Sequence, residues 1–152
     1  MAALGLDRAF VQDNHSFSAR RGTLRGLHYQ APPCAQDKLV RCTRGAVFDV
    51  AVDARRGSAC FGQWVRVELS AQNGRQLLVP RGFLHGFVTL CDDTEVQYSC
   101  TETYAPDCDG AVHYGSLGID WGVDPDALLL SDKDARAPAF ADWTSPFTYG
   151  AA

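Results

Sequence analysis

The residue order encodes an all-β architecture in which two antiparallel sheets fold over one another as a jelly roll. Short stretches of alternating apolar and polar residues recur at close intervals, bounded by turn residues such as Asn73-Gly74 and Asp92-Asp93. Helical periodicity is nearly absent before residue 125. A third sign is a pair of glycine–histidine spacings, Gly22 to His28 and Gly74 to His85, the second with Pro80 and Gly82 inside it. Sheets built from many short strands close as sandwiches or jelly rolls.

Along the chain, Leu24–Gln30 and Lys38–Cys42 are short strands. Ala46–Val52 is nearly all apolar, as in a strand covered on both faces. Trp64–Leu69 alternates, with Val65, Val67 and Leu69 on one face and Trp64, Arg66 and Glu68 on the other. Leu77–Pro80, Phe83–Leu90 and Glu95–Thr103 follow, and only Leu128–Asp142 has room for a short helix or irregular cap. No linker, repeat or low-complexity run divides the chain, so residues 1–152 are expected to form a single domain.

Composition excludes several function classes. The net charge is −4, mixed in sign, with no basic run suited to a nucleic-acid backbone. No apolar stretch approaches the ~20 residues of a membrane helix, and no signal peptide opens the chain. The expectation is a cytoplasmic protein with neither nucleic-acid nor membrane partners. Six cysteines (Cys34, Cys42, Cys60, Cys91, Cys100, Cys108) form no CxxC and no finger-like cluster with histidine. In a domain of this size they read as small hydrophobes or surface thiols, not disulfide staples.

The two histidine spacings resemble the cupin motif pair and imply a cupin-type double-stranded β-helix. A metal-binding cupin has a second His two residues after the first and a Glu further on. Here those places hold Gln30 and Pro33-Cys34-Ala35. Two imidazoles are fewer than the three or four protein ligands that zinc or iron sites use. The expectation is a barrel with its pocket retained, no metal and no other cofactor, working through side chains alone.

Strand parity indicates which side chains share that pocket. In Glu95–Thr103, Tyr98 falls with Val96 and Cys100, while Glu95, Gln97, Ser99 and Thr101 take the other face. His85 falls with Phe83 and Phe87. Singly, each is better explained as a core residue satisfied by backbone. Strict alternation sends Arg25 and His28 to opposite faces, but Gly26 between them is a natural site for a bulge that re-aims one of them. Lys38 alone reads as a solvated strand end.

Several stretches together are more specific. Phe10-Val-Gln-Asp-Asn-His-Ser16, Leu24-Arg-Gly-Leu-His-Tyr-Gln30, Lys38-Leu-Val-Arg-Cys42, Asp49-Val-Ala-Val-Asp53, Pro80-Arg-Gly-Phe-Leu-His-Gly-Phe87 and Ser131-Asp-Lys-Asp134 resemble the dTDP-4-dehydrorhamnose 3,5-epimerase family. The likeness runs from about residue 5 to residue 135.

The resemblance implies a metal-free isomerase of deoxysugar biosynthesis acting on a dTDP-4-keto-6-deoxyhexose at C3 and C5, or at C3 only. By family position His28 is the base, oriented by Asp134, and Asp132 is the solvent-facing neighbour. Lys38 matches the residue that stabilises the enolate, and Tyr98 the acid that returns a proton from the opposite side. Arg25 and His85 match contacts to sugar and diphosphate. Gln12, Asp13 and Asn14 match the nucleotide-sugar contacts, and Lys133 and Asp109 further ones, with Asp109 standing where the family usually has Glu. His15 and His113 have no matched role. The family's exchanged N-terminal segment, with its Arg and Glu, is expected to have no counterpart here. A homodimer is the expected assembly, covering strand edges. Two other classes remain open: a non-catalytic nucleotide-sugar binder and a metal-dependent cupin.

Overall fold

A computed structural model describes residues 7–151, so the expectation about the front of the chain falls partly on residues outside those described. The described residues form nine strands: β1 (Gln12–Ser18), β2 (Leu24–Gln30), β3 (Lys38–Arg44), β4 (Ala46–Asp53), β5 (Trp64–Ser70), β6 (Gln76–Val79), β7 (Phe83–Thr89), β8 (Thr94–Cys100) and β9 (Asp109–Ala111). One helical turn, α1 (Asp132–Ala135), follows. The strands form two sheets, in the orders β1-β8-β3-β6 and β5-β4-β7-β2-β9, and every pairing is antiparallel.

β1 was not foreseen as a strand, whereas β2 to β8 fall close to where the sequence placed strands, with β8 ending at Cys100, short of Thr103. Beyond it Thr101 Oγ1 and the buried Asp37 take over the hydrogen bonding, which ends the ladder. The three-residue β9 is too short to leave an alternation signal in sequence. On β5 the expected apolar face holds only in part: Leu69 is buried while Val65 is 55% exposed. β5 is an edge strand, with a neighbouring strand on one side only.

The core has two compartments. Val40, Cys42, Val47, Ala51, Leu69, Val79, Phe87 and Val96 fill the space between the sheets. Leu24, Leu27, Val50, Val52, Leu84 and Val88 form the back of the five-stranded sheet and meet Val112, Trp121 and Phe147 from the C-terminal third. β4 is therefore buried on both faces, which is why its sequence is nearly uniformly apolar.

The segment Leu128–Asp134 docks on β2 through a parallel bridge between Thr23 and Leu129. There the Leu24 amide donates to the Leu129 carbonyl, and the Leu129 amide donates to the Gly22 carbonyl, both at 2.9 Å. This docking brings α1 to the mouth of the barrel beside β2.

Candidate active site

A cavity of about 460 Å3 opens between the sheets, lined among others by Arg25, His28, Lys38, His85, Tyr98 and Asp134. A neighbouring cavity of about 230 Å3 shares His28, Lys38, Tyr98 and Lys133, and adds Gln12, Asn14, Tyr104 and Asp109. The five-stranded sheet supplies Arg25, His28 and His85, and the four-stranded sheet supplies Lys38 and Tyr98.

The placement of His28 depends on Gly26. Arg25 pairs with Phe87 and His28 with His85, so three steps on β2 match two on β7, which is a one-residue bulge. The extra residue restores Arg25 and His28 to one face while Leu24 and Leu27 both enter the core behind the sheet. Gly26 has φ +141°, and a Cβ there would sit 2.6 Å from the Gly86 Cα, so only glycine fits. Released from the ladder, the Gly26 amide donates to Asp134 Oδ2 at 3.1 Å.

Asp134 Oδ1 takes His28 Nε2 at 2.6 Å, which leaves Nδ1 as the basic nitrogen of that ring. The Ser131 hydroxyl caps α1 by accepting from the Asp134 amide at 3.1 Å and so fixes the carboxylate's direction. Burial pushes the Asp134 carboxyl up. The His28 hydrogen bond and charge, the Gly26 amide and Ser131 outweigh it and hold the group below the ordinary aspartate value. Asp132 is exposed, as expected.

Across the cavity, Tyr98 lies on β8 between Asn14 and Val40. Burial raises its phenol and the neighbouring Cys100 adds to this, while Arg25 opposes it, so the group stays protonated. Lys38, paired with Cys100 and Val79, has its Nζ 5.9 Å from the Tyr98 ring centre. Burial lowers its ammonium, and the neighbouring Cys100, Asp109 and Asp49 oppose that. The ring centres of His85 and Tyr98 stand 6.4 Å apart.

Gln12 Nε2 donates to Asn14 Oδ1 at 3.0 Å, and both residues line the smaller cavity. Arg25 is steadied by Ser18 Oγ at 3.3 Å and the Phe17 carbonyl at 3.1 Å. Lys133 bonds Asp109, whose hydrogen bond raises the ammonium. Asp13 is the one candidate the structure does not bring to these cavities. Alternation along β1 turns it to the outer face, where it accepts from Ser99 Oγ at 2.5 Å. His15 pairs with Glu95 on that same outer face, and the His113 ring accepts from the Gly115 amide.

Sequence reasoning missed Asp49 as part of the site. It is fully buried, its Oδ1 is 2.7 Å from His85 Nε2, and its Oδ2 has no partner among the described residues. The signal was available: a carboxylate in the middle of the apolar run Ala46–Val52, on the parity of Val47 and Ala51, is costly unless something pairs with it. Tyr104, 57% exposed at the rim of the smaller cavity, was also missed. Among the described residues, no three or more His, Cys, Asp or Glu side chains converge as a metal site requires.

Against this geometry the likenesses to known proteins are consistent. A family model described as dTDP-4-dehydrorhamnose 3,5-epimerase matches residues 1–142. The enzyme of that name from Pseudomonas aeruginosa is 55% identical over 142 residues, covering 92% of this chain and 77% of its own. The one from Sinorhizobium fredii is 49% identical over 145 residues, covering 94% and 74%. The crystal structure of dTDP-6-deoxy-D-glucose-3,5-epimerase from Legionella pneumophila, complexed with dTDP-4-keto-L-rhamnose, matches with a TM-score of 0.93. It is 45% identical and the match covers 99% of this chain and 80% of that one. A 3'-monoepimerase from Streptomyces bikiniensis in complex with dTDP-quinovose has a TM-score of 0.84 at 39% identity, covering 93% and 71%. With motifs, topology and a near-full-length family match in agreement, the chain belongs to the dTDP-4-dehydrorhamnose 3,5-epimerase family.

Proposed function

We propose that this chain is an isomerase of deoxysugar biosynthesis that epimerises a dTDP-4-keto-6-deoxyhexose at C3 and C5, or at C3 alone, through an enolate. One arrangement carries the reading: an imidazole–carboxylate dyad on one side of a cavity, with a phenol and an ammonium on the other. A 4-keto group acidifies the adjacent C3 and C5 protons. His28 Nδ1 removes such a proton, and Asp134 stabilises the imidazolium that forms. Lys38 offers a fixed positive charge to the developing enolate oxygen. Tyr98, kept protonated by burial, returns a proton to the opposite face of the carbon, which is what inversion requires.

Arg25 suits diphosphate oxygens because its planar donors pair with two at once. Gln12, Asn14, Asp109, Lys133 and His85 complete the grip on the nucleotide-sugar. Homodimerisation over the exposed edge of β1, in the cytoplasm, is part of the same reading.

Deuterium uptake from heavy water tests the reaction. Incorporation at C3 of a dTDP-4-keto-6-deoxyhexose is expected, lost in His28→Ala and unaffected by chelators. Binding without incorporation favours the non-catalytic binder, and loss of activity on chelation favours a metal-dependent cupin.

A further inference from the structure

Outside the two cavities, one pair of reactive groups is held together by other contacts. The Ala31–Cys34 turn closes with the Cys34 amide donating to the Ala31 carbonyl at 3.0 Å. The Ala31 amide in turn donates to the Cys108 carbonyl at 2.8 Å. The buried Gln30 side chain ties the same two segments. Its Nε2 donates to the Cys34 carbonyl at 2.6 Å and the Thr103 carbonyl at 3.0 Å, and its Oε1 accepts from the Ala105 amide at 3.1 Å. These tethers set Cys34 and Cys108 beside each other, and both are partly exposed.

We propose that Cys34 and Cys108 are an oxidisable pair that closes into a reversible disulfide, stapling two turns at the rim of the smaller cavity. Gln36 and Lys38 lie just beyond Cys34, and Asp109, the partner of Lys133, follows Cys108. The staple thus joins the two segments that carry these cavity-lining groups. The backbone tethers already hold the turns together, so little native geometry is disturbed, and the cross-link restricts the unfolded chain.

The chemistry is thiol–disulfide exchange with a low-molecular-weight disulfide such as oxidised glutathione. One cysteine thiolate attacks a glutathione sulfur, breaking the S–S bond and releasing one glutathione thiolate. The second cysteine thiolate displaces the other glutathione from the mixed disulfide. One S–S bond breaks and one forms, and the two protons end on the released glutathione thiols. Contact with Cys108, then burial, then the Glu102 and Asp107 carboxylates raise the Cys34 thiol, so little of it is thiolate at neutral pH and exchange is slow.

The test uses the full chain carrying Cys60→Ser, because Cys60 is exposed and would cross-link copies. Excess oxidised glutathione is expected to remove the mass of two hydrogens, and unreduced peptide mapping to join Cys34 to Cys108. Tm should rise by roughly 5 °C or more, and dithiothreitol should reverse each change. Adding Cys34→Ser or Cys108→Ser should abolish the mass loss and leave the Tm of the reduced protein within about 2 °C. Separate glutathione adducts on the two residues, a bridge to Cys91, or a bridge that lowers Tm would each overturn the proposal. Its outcome does not depend on the catalytic roles assigned above.

Discussion

At the scale of single residues, the site consists of charges placed where water cannot compensate for them. Asp134 is 3% exposed and spends its two oxygens on His28 and the Gly26 amide. Asp134→Asn keeps the shape and removes the charge that supports an imidazolium, so kcat is expected to fall about 10²–10⁴-fold with little loss of fold. In Tyr98→Phe the base is intact. Deuterium exchange should persist while net inversion slows, and inversion at the normal rate would refute the role given to Tyr98. Lys38 and Tyr98 are shifted in opposite directions, the ammonium below 10.5 and the phenol above 10.0. The ammonium is the charged acid form, so raising pH removes it before an ordinary lysine would lose its proton. The alkaline limb of kcat/KM should therefore follow Lys38 and move upward in Lys38→Arg, since a guanidinium does not titrate there. An unmoved limb would assign it to another group.

At the scale of elements, one bulge and one helical turn position the dyad. The bulge at Gly26 turns Arg25 and His28 to the same face, and its freed amide holds Asp134. A side chain at that position meets the Gly86 backbone at 2.6 Å with φ at +141°. Gly26→Ala is expected to cost roughly 2–4 kcal/mol and lower Tm by about 5–15 °C, combining a steric clash with backbone strain. Activity should fall further than stability explains, because His28 and Asp134 are both displaced. Thermal unfolding and turnover measured on one preparation separate the two effects.

At the scale of the whole molecule, the C-terminal segment seals the back of the five-stranded sheet. Arg55 stacks between Phe83 and Tyr149 at 4.8 and 5.0 Å, and it is held by buried Asp53. Burial raises the Asp53 carboxyl, but bonds from Arg55 and Ser58 outweigh it and bring it from 3.8 to about 2. A carboxyl whose pKa is lowered in the folded state stabilises above its unfolded value and loses that contribution as pH falls through the folded one. About 2 kcal/mol should therefore disappear between about pH 4 and pH 2. Denaturant titrations across that window should show the loss in the native protein. The Asp53→Asn protein, less stable throughout, should show a flatter acid limb.

Alternation, turn residues and the apolar run at Ala46–Val52 determined the strands, because half-buried and doubly buried strands leave period-two and continuous apolar patterns. The Gly22–His28 and Gly74–His85 spacings were legible for the same local reason: each places an imidazole on a strand. Gly26 also pointed to a bulge from sequence alone. The pairing of Asp49 with His85 was decided only by tertiary structure, as were the choice of which face of β1, with Asp13 on it, turns outward and the proximity of Cys34 to Cys108. Those contacts join strands and turns far apart in the chain, and side-chain periodicity within one strand carries no record of which strand lies across from it.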